Sequence, residues 1–435
     1  MRRYSFYQES SVAWLGKVPH HWEVGPARRW FKIVNGGTPK SGVDEYWDGG
    51  VTWLTPDDLG QNQGEWIHKG RRTITLEGLH NSSATLCPPG SIVVSTRAPI
   101  GHVAISATET STNQGCRTLV PGPQIDSTFG FYAVKSACPV LESLGQGSTF
   151  MELTPANLGS VRLPIPPLDE QRDIVAFLDR ETERIDSLIA KKRLLIERLQ
   201  EYRTALITRT VTRGLPPEAA RAAGLDPSPR LKPSGVEWLG DVPEHWEVLR
   251  LRRLAEIETG SKDTVDRQDN GEYPFFVRSQ TIERIDSWSF EGEAVLTAGD
   301  GVGVGRVFHY IDGRFDYHQR MYKFSGFRRV IGKFFFQYFR AMLRVVVLQG
   351  TAKSTVDSLR LPMLQDFPVS CPPRREQQAI VEYIERRSER IDALVAHVDQ
   401  LIDRLEEYRS ALITAAVTGK IDARDKALAI VGRAE

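Results

Sequence analysis

The stretch WLGKVPHHWEV at 14–24 returns as WLGDVPEHWEV at 238–248, identical at nine of eleven positions. A match of that length makes the chain two copies of one folding plan. The repeat continues: PPLDEQRDIVAFLDRETERIDSLI (166–189) is answered by PPRREQQAIVEYIERRSERIDALV (372–395), and LQEYRTALITRTVT (199–212) by LEEYRSALITAAVT (405–418). The spacing from PP to VT is kept without an insertion, as a helix under tight length control requires. Between these pieces the copies diverge. NGGTPKSG (35–42) faces ETGSKDTV (258–265), and GQGSTFMELTPANL (145–158) faces only a looser LQGTAKSTVDSLRL (348–361). The plan is variable, constant, variable, constant.

The constant segments read as long helices. Ile174, Leu178, Ile185, Leu188, Leu195, Leu199, Tyr202 and Leu206 fall on alternating four- and three-residue steps, interrupted by Glu181 and Lys192. Ile380, Ile384, Ile391, Leu394, Val398, Leu401, Leu405, Tyr408 and Leu412 hold the same places in the second copy, with Arg387 the one polar residue. Both patterns are heptad seams. Each follows a Pro-Pro pair that cannot continue a helix backwards, and Asp169, Glu170 and Glu376 place negative charge where the helix dipole favours it. Such rods, about 50 Å from Ile174 to Leu206, either pack on their own globular domains or zip together. Two matched seams favour an antiparallel pair acting as a stiff spacer.

The variable segments read as β-rich. SIVVST (91–96) and HVAISA (102–107) flank RAPIG, as EAVLTA (293–298) and RVFHYI (306–311) flank GDGVGVG: strand, glycine-bearing loop, strand. The predicted fold class is α+β: two β-rich globular domains, 1–165 and 235–371, joined by two long antiparallel coiled-coil helices, 166–212 and 372–418, as a pseudo-twofold internal repeat. A Pro- and Ala-rich linker (213–234) is expected to be extended, and a tail covers 419–435. The 435 residues suffice for two or three such domains.

Chemistry-bearing motifs are few. A net charge of +1 leaves no global field for nucleic acid, so any such surface is local. Cys87, Cys116, Cys138 and Cys371 show no CxxC spacing, and the histidines no HxxxH or HExxH, so neither metal nor disulfide framework is expected. GVGVGR puts Arg306 where a dinucleotide loop needs its third glycine, no GxxxxGK[ST] occurs, and the Pro-Pro pairs lack the aromatic of an amino-methyltransferase loop. Pro56, Asp57, Glu65 and Lys69 have the letters of a nuclease site without its acidic-x-Lys ending. No apolar stretch approaches the roughly 18 residues of a membrane span, so a cytoplasmic protein without catalytic residues is expected.

As an ordered set, the paired WLGxVPxHWEV openings, the GGTP of Gly36–Pro39, the PPLDEQRDIV and PPRREQQAIV helix starts and the ERID and EYRxALIT helices resemble the specificity subunit of Type I restriction-modification systems. The resemblance covers nearly the whole chain. It implies a non-catalytic subunit with two target-recognition domains, each reading one half of a bipartite double-stranded DNA sequence, and paired helices acting as a ruler between them. It further implies two methyltransferase subunits docked on the helices, using S-adenosylmethionine, and restriction subunits using ATP and magnesium; this chain itself would bind no cofactor. One departure is that Thr259, Gly260, Ser261 and Lys262 stand where the first copy has Gly37, Thr38, Pro39 and Lys40, which sets the two loops apart. Rival readings are a coiled-coil scaffold that binds only proteins, and a nuclease or methyltransferase with an unrecognised site.

Duplication suits a bipartite target, because two similar domains present equivalent faces to two half-sites and divergence lets the half-sites differ. Trp14, Trp22, Trp238 and Trp246 are expected to pack where each domain meets the helices. Candidate DNA contacts are Thr38, Lys40, Arg97, Asn113 and Gln114 in the first domain, and Lys262, Arg306, His318, Gln319, Arg320 and Lys353 in the second, with Asn113 and Gln114 matched loosely by His318 and Gln319. Arginine suits guanine and an amide suits adenine.

Overall fold

The computed structural model describes residues 3–62, 64–145, 152–350 and 358–424. Two compact units result: Met1–Lys191 with Gln400–Glu435, and Lys192–Asp399. Each holds one β-rich domain, the start of the long helix that follows it and the end of the other long helix. The first long helix is Leu168–Arg213 and the second Arg374–Val417. Both outrun the predicted seams, and each ends before a glycine in the left-handed region, Gly214 (φ 83°) and Gly419 (φ 71°), which terminates a helix without a Cβ clash.

In the first unit, a five-stranded sheet runs in the order Phe31–Asn35, Cys116–Pro121, Ile92–Ser95, Val103–Ser106, Trp66–Ile67. A second sheet has three strands in the order Thr110–Thr112, Trp47–Leu54, Arg72–Ile74. The strands around RAPIG pair antiparallel, Ile92 opposite Ile105, and Val93, Val94, Ala104 and Ile105 are fully buried, as unbroken β-branched and small apolar runs demand. Helix Ser127–Ser136 is capped by the Asp126 carboxylate, which accepts from the N–H groups of Thr128 and Phe129.

In the second unit, a six-stranded sheet runs Glu256–Thr259, Met321–Ser325, Phe290–Ala298, Phe308–Tyr317, Tyr273–Phe276, Glu283–Ile285. Helix Gly332–Gly350 supplies Phe334, Phe335, Tyr338 and Phe339 to its core, where Phe324 meets Phe335 and Phe339 with ring centroids 5.4 and 4.9 Å apart. The expected extended linker is folded instead. Residues Pro217–Ala222 form a helical turn, Leu231–Pro233 pairs with Asp241–Pro243, and Leu215 and Ala220 join the core, because their apolar groups find a wall that composition does not reveal.

The constant EQ of each helix start has a physical cause. Gln171 donates to the carbonyls of Pro166 and Gln124 and accepts from the N–H of Asp126, so it ties the helix start to the capped helix of its unit. Gln377 donates likewise to Pro372 and Arg329 and accepts from Ile331 N–H, immediately before helix Gly332–Gly350. Both amides are fully buried and all three of these contacts are made in each copy. The glutamate beside each accepts from the histidine of HHW or EHW: His21 Nε2 to Glu170 at 2.7 Å, His245 Nε2 to Glu376 at 2.8 Å. Trp22 and Trp246 are buried beneath them, Trp14 and Trp238 partly so.

Within each unit the two helix segments run antiparallel. In the first, Arg409 pairs with Asp186 at 3.1 Å, while beyond the second helix Lys420 Nζ donates to the carbonyls of Leu15 and Lys17, and Arg424 approaches Glu170 at the opposite end. In the second, Arg203 pairs with Asp392 at 2.7 Å, and Val211 O accepts from Ser370 Oγ near the helix start. The strict heptad seam is corrected. Ile174, Leu178, Ile185, Leu206, Ile380, Ile384, Ile391, Val398 and Leu412 are buried and Leu199, Leu401 and Leu405 half-buried, but Leu188, Leu195, Tyr202, Leu394 and Tyr408 are exposed. Ile189, Ile196, Arg203, Val395 and Arg409 take the inward places one residue later. The offset is constant along each helix, since Thr182 and Ser388 are already buried in place of Glu181 and Arg387 while Leu206 and Leu412 at the far ends stay inward; the second inward place of each seven-residue repeat comes four residues after the first instead of three.

Candidate nucleic-acid interface

The two variable domains build the same loop end from different side chains. In the first unit, Thr96 N–H donates to Gly115 O, Leu153 N–H to Thr96 O, Asn113 N–H to Leu54 O and Cys116 N–H to Asn113 O. In the second, Gly299 N–H donates to Arg320 O, Leu359 N–H to Gly299 O, His318 N–H to Phe276 O and Met321 N–H to His318 O. These bonds put Asn113, Gln114 and Gly115 in the places of His318, Gln319 and Arg320, and Arg97 in the place of Asp300.

A glycine brings the edge loop onto this turn. At Gly36 a Cβ would stand 1.8 Å from Asn113 O, and at Gly260 2.0 Å from Tyr317 O and 2.6 Å from His318 O. Only a residue without a Cβ fits either approach. Strand pairing agrees, Asn35 opposite Arg117 and Thr259 opposite Tyr322. Gly260 therefore stands at the position of Gly36, which corrects the alignment read from the sequence. The extra glycine of the first copy, Gly37, answers a local neighbour, since its Cβ would meet Ala84 N at 2.3 Å.

Charge on this frame is arranged alike and assigned differently. In the first unit Glu152 lies between two arginines, Arg97 at 3.3 Å and Arg117 at 3.5 Å. Arg117 is buried and donates to the carbonyls of Gln114 and Cys116, so it props the turn, while Arg97 is exposed. In the second unit Asp300 holds Arg278 at 2.8 Å and Arg320 at 3.0 Å, both exposed. A guanidinium that spends one donor on a carboxylate keeps others for an acceptor outside and is already ordered, which lowers the entropy cost of binding.

Of the candidate residues, Thr38 and Gln114 are exposed and joined, the Thr38 hydroxyl donating to the Gln114 amide oxygen. Gln319 is exposed and donates to Asp263 at 2.6 Å. Lys40 and Arg306 are exposed in neighbouring loops, and Lys262 is half-exposed, its carbonyl accepting from Gln319 N–H. Two candidates are turn supports. Asn113 Oδ1 accepts from Gly115 N–H, and His318 is buried with Nδ1 accepting from Arg320 N–H. Burial pushes the His318 imidazole below its usual pKa, so it stays the neutral acceptor this bond needs. Lys353 lies outside the described residues. Sequence reasoning missed Arg278, Asp300, Glu152, Arg117 and Asp263. Asp300 stands within GDGVGVG, where the glycines are the stronger signal; Arg278 has only its place after the strand Tyr273–Phe276 to mark it. Among the described residues no group of three or more His, Cys, Asp or Glu could hold a metal ion, and no helix is long and apolar enough to cross a membrane.

The family model of the Type I restriction modification DNA specificity domain matches residues 19–198 and 243–404, one match per copy and together most of the chain. The chain belongs to this family. A specificity subunit of the Type I restriction enzyme MjaIX from Methanocaldococcus jannaschii is 30% identical over 290 residues, 65% of this chain and 63% of that protein. The chain thus spans under two thirds of that relative's length. The MjaVIII specificity subunit of the same organism is 21% identical over 96% of this chain and 97% of its own. The fold is that of the family's solved members. A chain from a Type I restriction-modification system, solved to describe complex assembly and conformational transition, aligns with TM-score 0.67 at 16% identity over 93% of this chain and 99% of its own. The HsdS subunit of Thermoanaerobacter tengcongensis aligns with TM-score 0.52 at 14% identity over 93% and 98%.

Proposed function

We propose that this family member is the non-catalytic, DNA-reading specificity subunit of a Type I restriction-modification complex, each variable domain reading one half of a bipartite double-stranded target. The observation that carries the reading is a fixed loop frame used twice with different polar and charged side chains on it. Phosphate contacts position a domain and base-edge contacts specify, so an unchanged frame with exchanged side chains is what two different half-sites need. The long helices would set the undefined gap between the half-sites. Methylation and cleavage, with S-adenosylmethionine, ATP and magnesium, would reside in partner subunits. Methylome sequencing of a plasmid from cells carrying this chain and its methyltransferase, against cells lacking this chain, tests the proposal. A new split motif is expected; its absence, with both proteins soluble and associated, would move the chain to the protein-scaffold reading. Arg320→Ala should relax one base of one half-site only, at a cost of about 1–3 kcal/mol in discrimination; an unchanged motif counts against Arg320 as a reader.

The apolar residues that leave the seam support two equivalent docking sites. Leu188 and Tyr408 are exposed on the two helix segments that the Asp186–Arg409 pair joins in the first unit, and Leu394 and Tyr202 on those that the matching Asp392–Arg203 pair joins in the second. Large exposed apolar groups at matching places suit a protein partner, here one methyltransferase subunit per unit. The double variant Leu188→Asp, Tyr408→Ser should reduce the stoichiometry in native mass spectrometry from two methyltransferase subunits to one. Retention of both would exclude this patch.

A further inference from the structure

We propose that Val302 reads the 5-methyl group of a thymine in the half-site bound by the second unit. This inference rests on the DNA-reading function proposed above and assigns it one base feature. Val302 sits at the tip of the loop between strands Phe290–Ala298 and Phe308–Tyr317, in the turn Gly301–Gly303, and is 88% exposed. Gly301 has φ 67°, so the turn is built on a residue free to adopt it. A β-branched apolar side chain held in water on a glycine turn gains nothing for the fold.

Its surroundings point to nucleic acid. Asp300, two residues before it, holds Arg278 and Arg320. The backbone joins the pieces, since a Cβ on Gly301 would lie 3.8 Å from Arg278 Nη1 and one on Gly303 3.1 Å from Arg278 O. Lys262 is tied to the same end through its bridge with His318. Cations attract phosphate and base acceptors, and between them a small apolar group meets the one apolar feature on a base-pair edge in the major groove, the thymine methyl. Val265, equally exposed at 88%, is the obvious competitor, but around its turn Thr264–Asp266 the carboxylates Asp263 and Asp266 offset the cations Lys262 and Arg267, whereas near Val302 the single carboxylate Asp300 faces two arginines. The charge around each valine selects Val302.

The test uses the full complex with its methyltransferase on duplexes carrying the split motif, the second unit's half-site being the one altered by substituting residues of its loops. Each thymine of that half-site is replaced singly by deoxyuridine, which removes the methyl group and keeps the base-pairing edge. One position is expected to lose about three- to tenfold in kcat/KM for methylation, the scale of one buried methyl. Val302→Ala should abolish the preference for thymine over uracil at that position, and Val265→Ala should keep it. Uracil equal to thymine at every position, a half-site without thymine, or an unchanged preference in Val302→Ala overturns the inference while chain-dependent methylation leaves the DNA-reading function standing. Absence of any chain-dependent methylation removes that function itself.

Discussion

Glu170→Ala is expected to destabilise the first unit by about 4 kcal/mol, whereas the sequence-matched Glu376→Ala costs the second only about 1 kcal/mol. The two glutamates occupy the same place in the EQ motif, and sequence alone gives no reason to separate them. Their partners differ. Glu170 accepts from the Tyr4 hydroxyl at 2.6 Å, the Trp22 indole N–H at 3.1 Å and His21 at 2.7 Å, and Arg424 stands 3.9 Å away. Tyr4 and Trp22 are 6% and 2% exposed, so removing the carboxylate strands two buried donors that water cannot reach. Burial and this carboxylate also drive the Tyr4 pKa upward, which keeps the phenol a donor at every working pH. Glu376 accepts from His245, whose side chain is 45% exposed, while the Trp246 indole N–H has no partner among the described residues even with the glutamate present. Scanning calorimetry of the two single variants checks the asymmetry. Equal shifts would show that the Tyr4 and Trp22 bonds contribute nothing net.

Gly36→Ala should abolish reading of one half-site, and Gly260→Ala reading of the other. The Cβ on Gly36 would stand 1.8 Å from Asn113 O in the turn, and that on Gly260 2.0 Å from Tyr317 O, which leads into the turn, and 2.6 Å from His318 O within it, so none of these carbonyls can move without taking the turn with it. Overpacking against rigid neighbours costs about 3 kcal/mol or more, equivalent to at least about a hundredfold in an affinity. Methylation by the assembled complex should therefore fall about a hundredfold for each variant, although neither glycine carries a side chain that could contact a base. Gly42→Ala is the control, because a Cβ there meets nothing within 4 Å. Initial methylation rates on the identified target make the comparison. Near-normal rates for Gly36→Ala would mean that the turn plays no part in reading.

Much of the architecture was legible because it repeats. Two PP-x-x-EQ starts, two long apolar-periodic stretches and two strand-loop-strand patterns each report a local rule, and local rules survive without tertiary knowledge. The inward stripe was legible only to within one residue, since residues three and four places on both lie within about 60° of the same helix face; Leu188 and Ile189 are adjacent apolar residues, and only the packed partner decides which faces in. The linker misled because Pro and Ala usually mark solvated chain, whereas Leu215 and Ala220 are drawn into a core made by residues far along the sequence. At the loop ends, composition identified Arg97, Gln114, Gln319 and Arg320 as exposed polar groups. It could not show that Glu152 holds Arg97 and Asp300 holds Arg320, nor that Asn113 and His318 brace the turn, because those facts depend on which donors the folded backbone brings near an acceptor.

The contact of Lys420 with the carbonyls of Leu15 and Lys17 joins positions 405 and 403 residues apart, while the second unit is made of one uninterrupted stretch, Lys192–Asp399. On a ribosome, chain order and completion order are therefore reversed. The domain synthesised first waits, with the places of residues 400–424 unfilled, until that segment emerges, and the domain synthesised second closes before it. The waiting domain is the stage at which the nascent protein exposes apolar surface longest, and it is there that a chaperone or a premature partner would act.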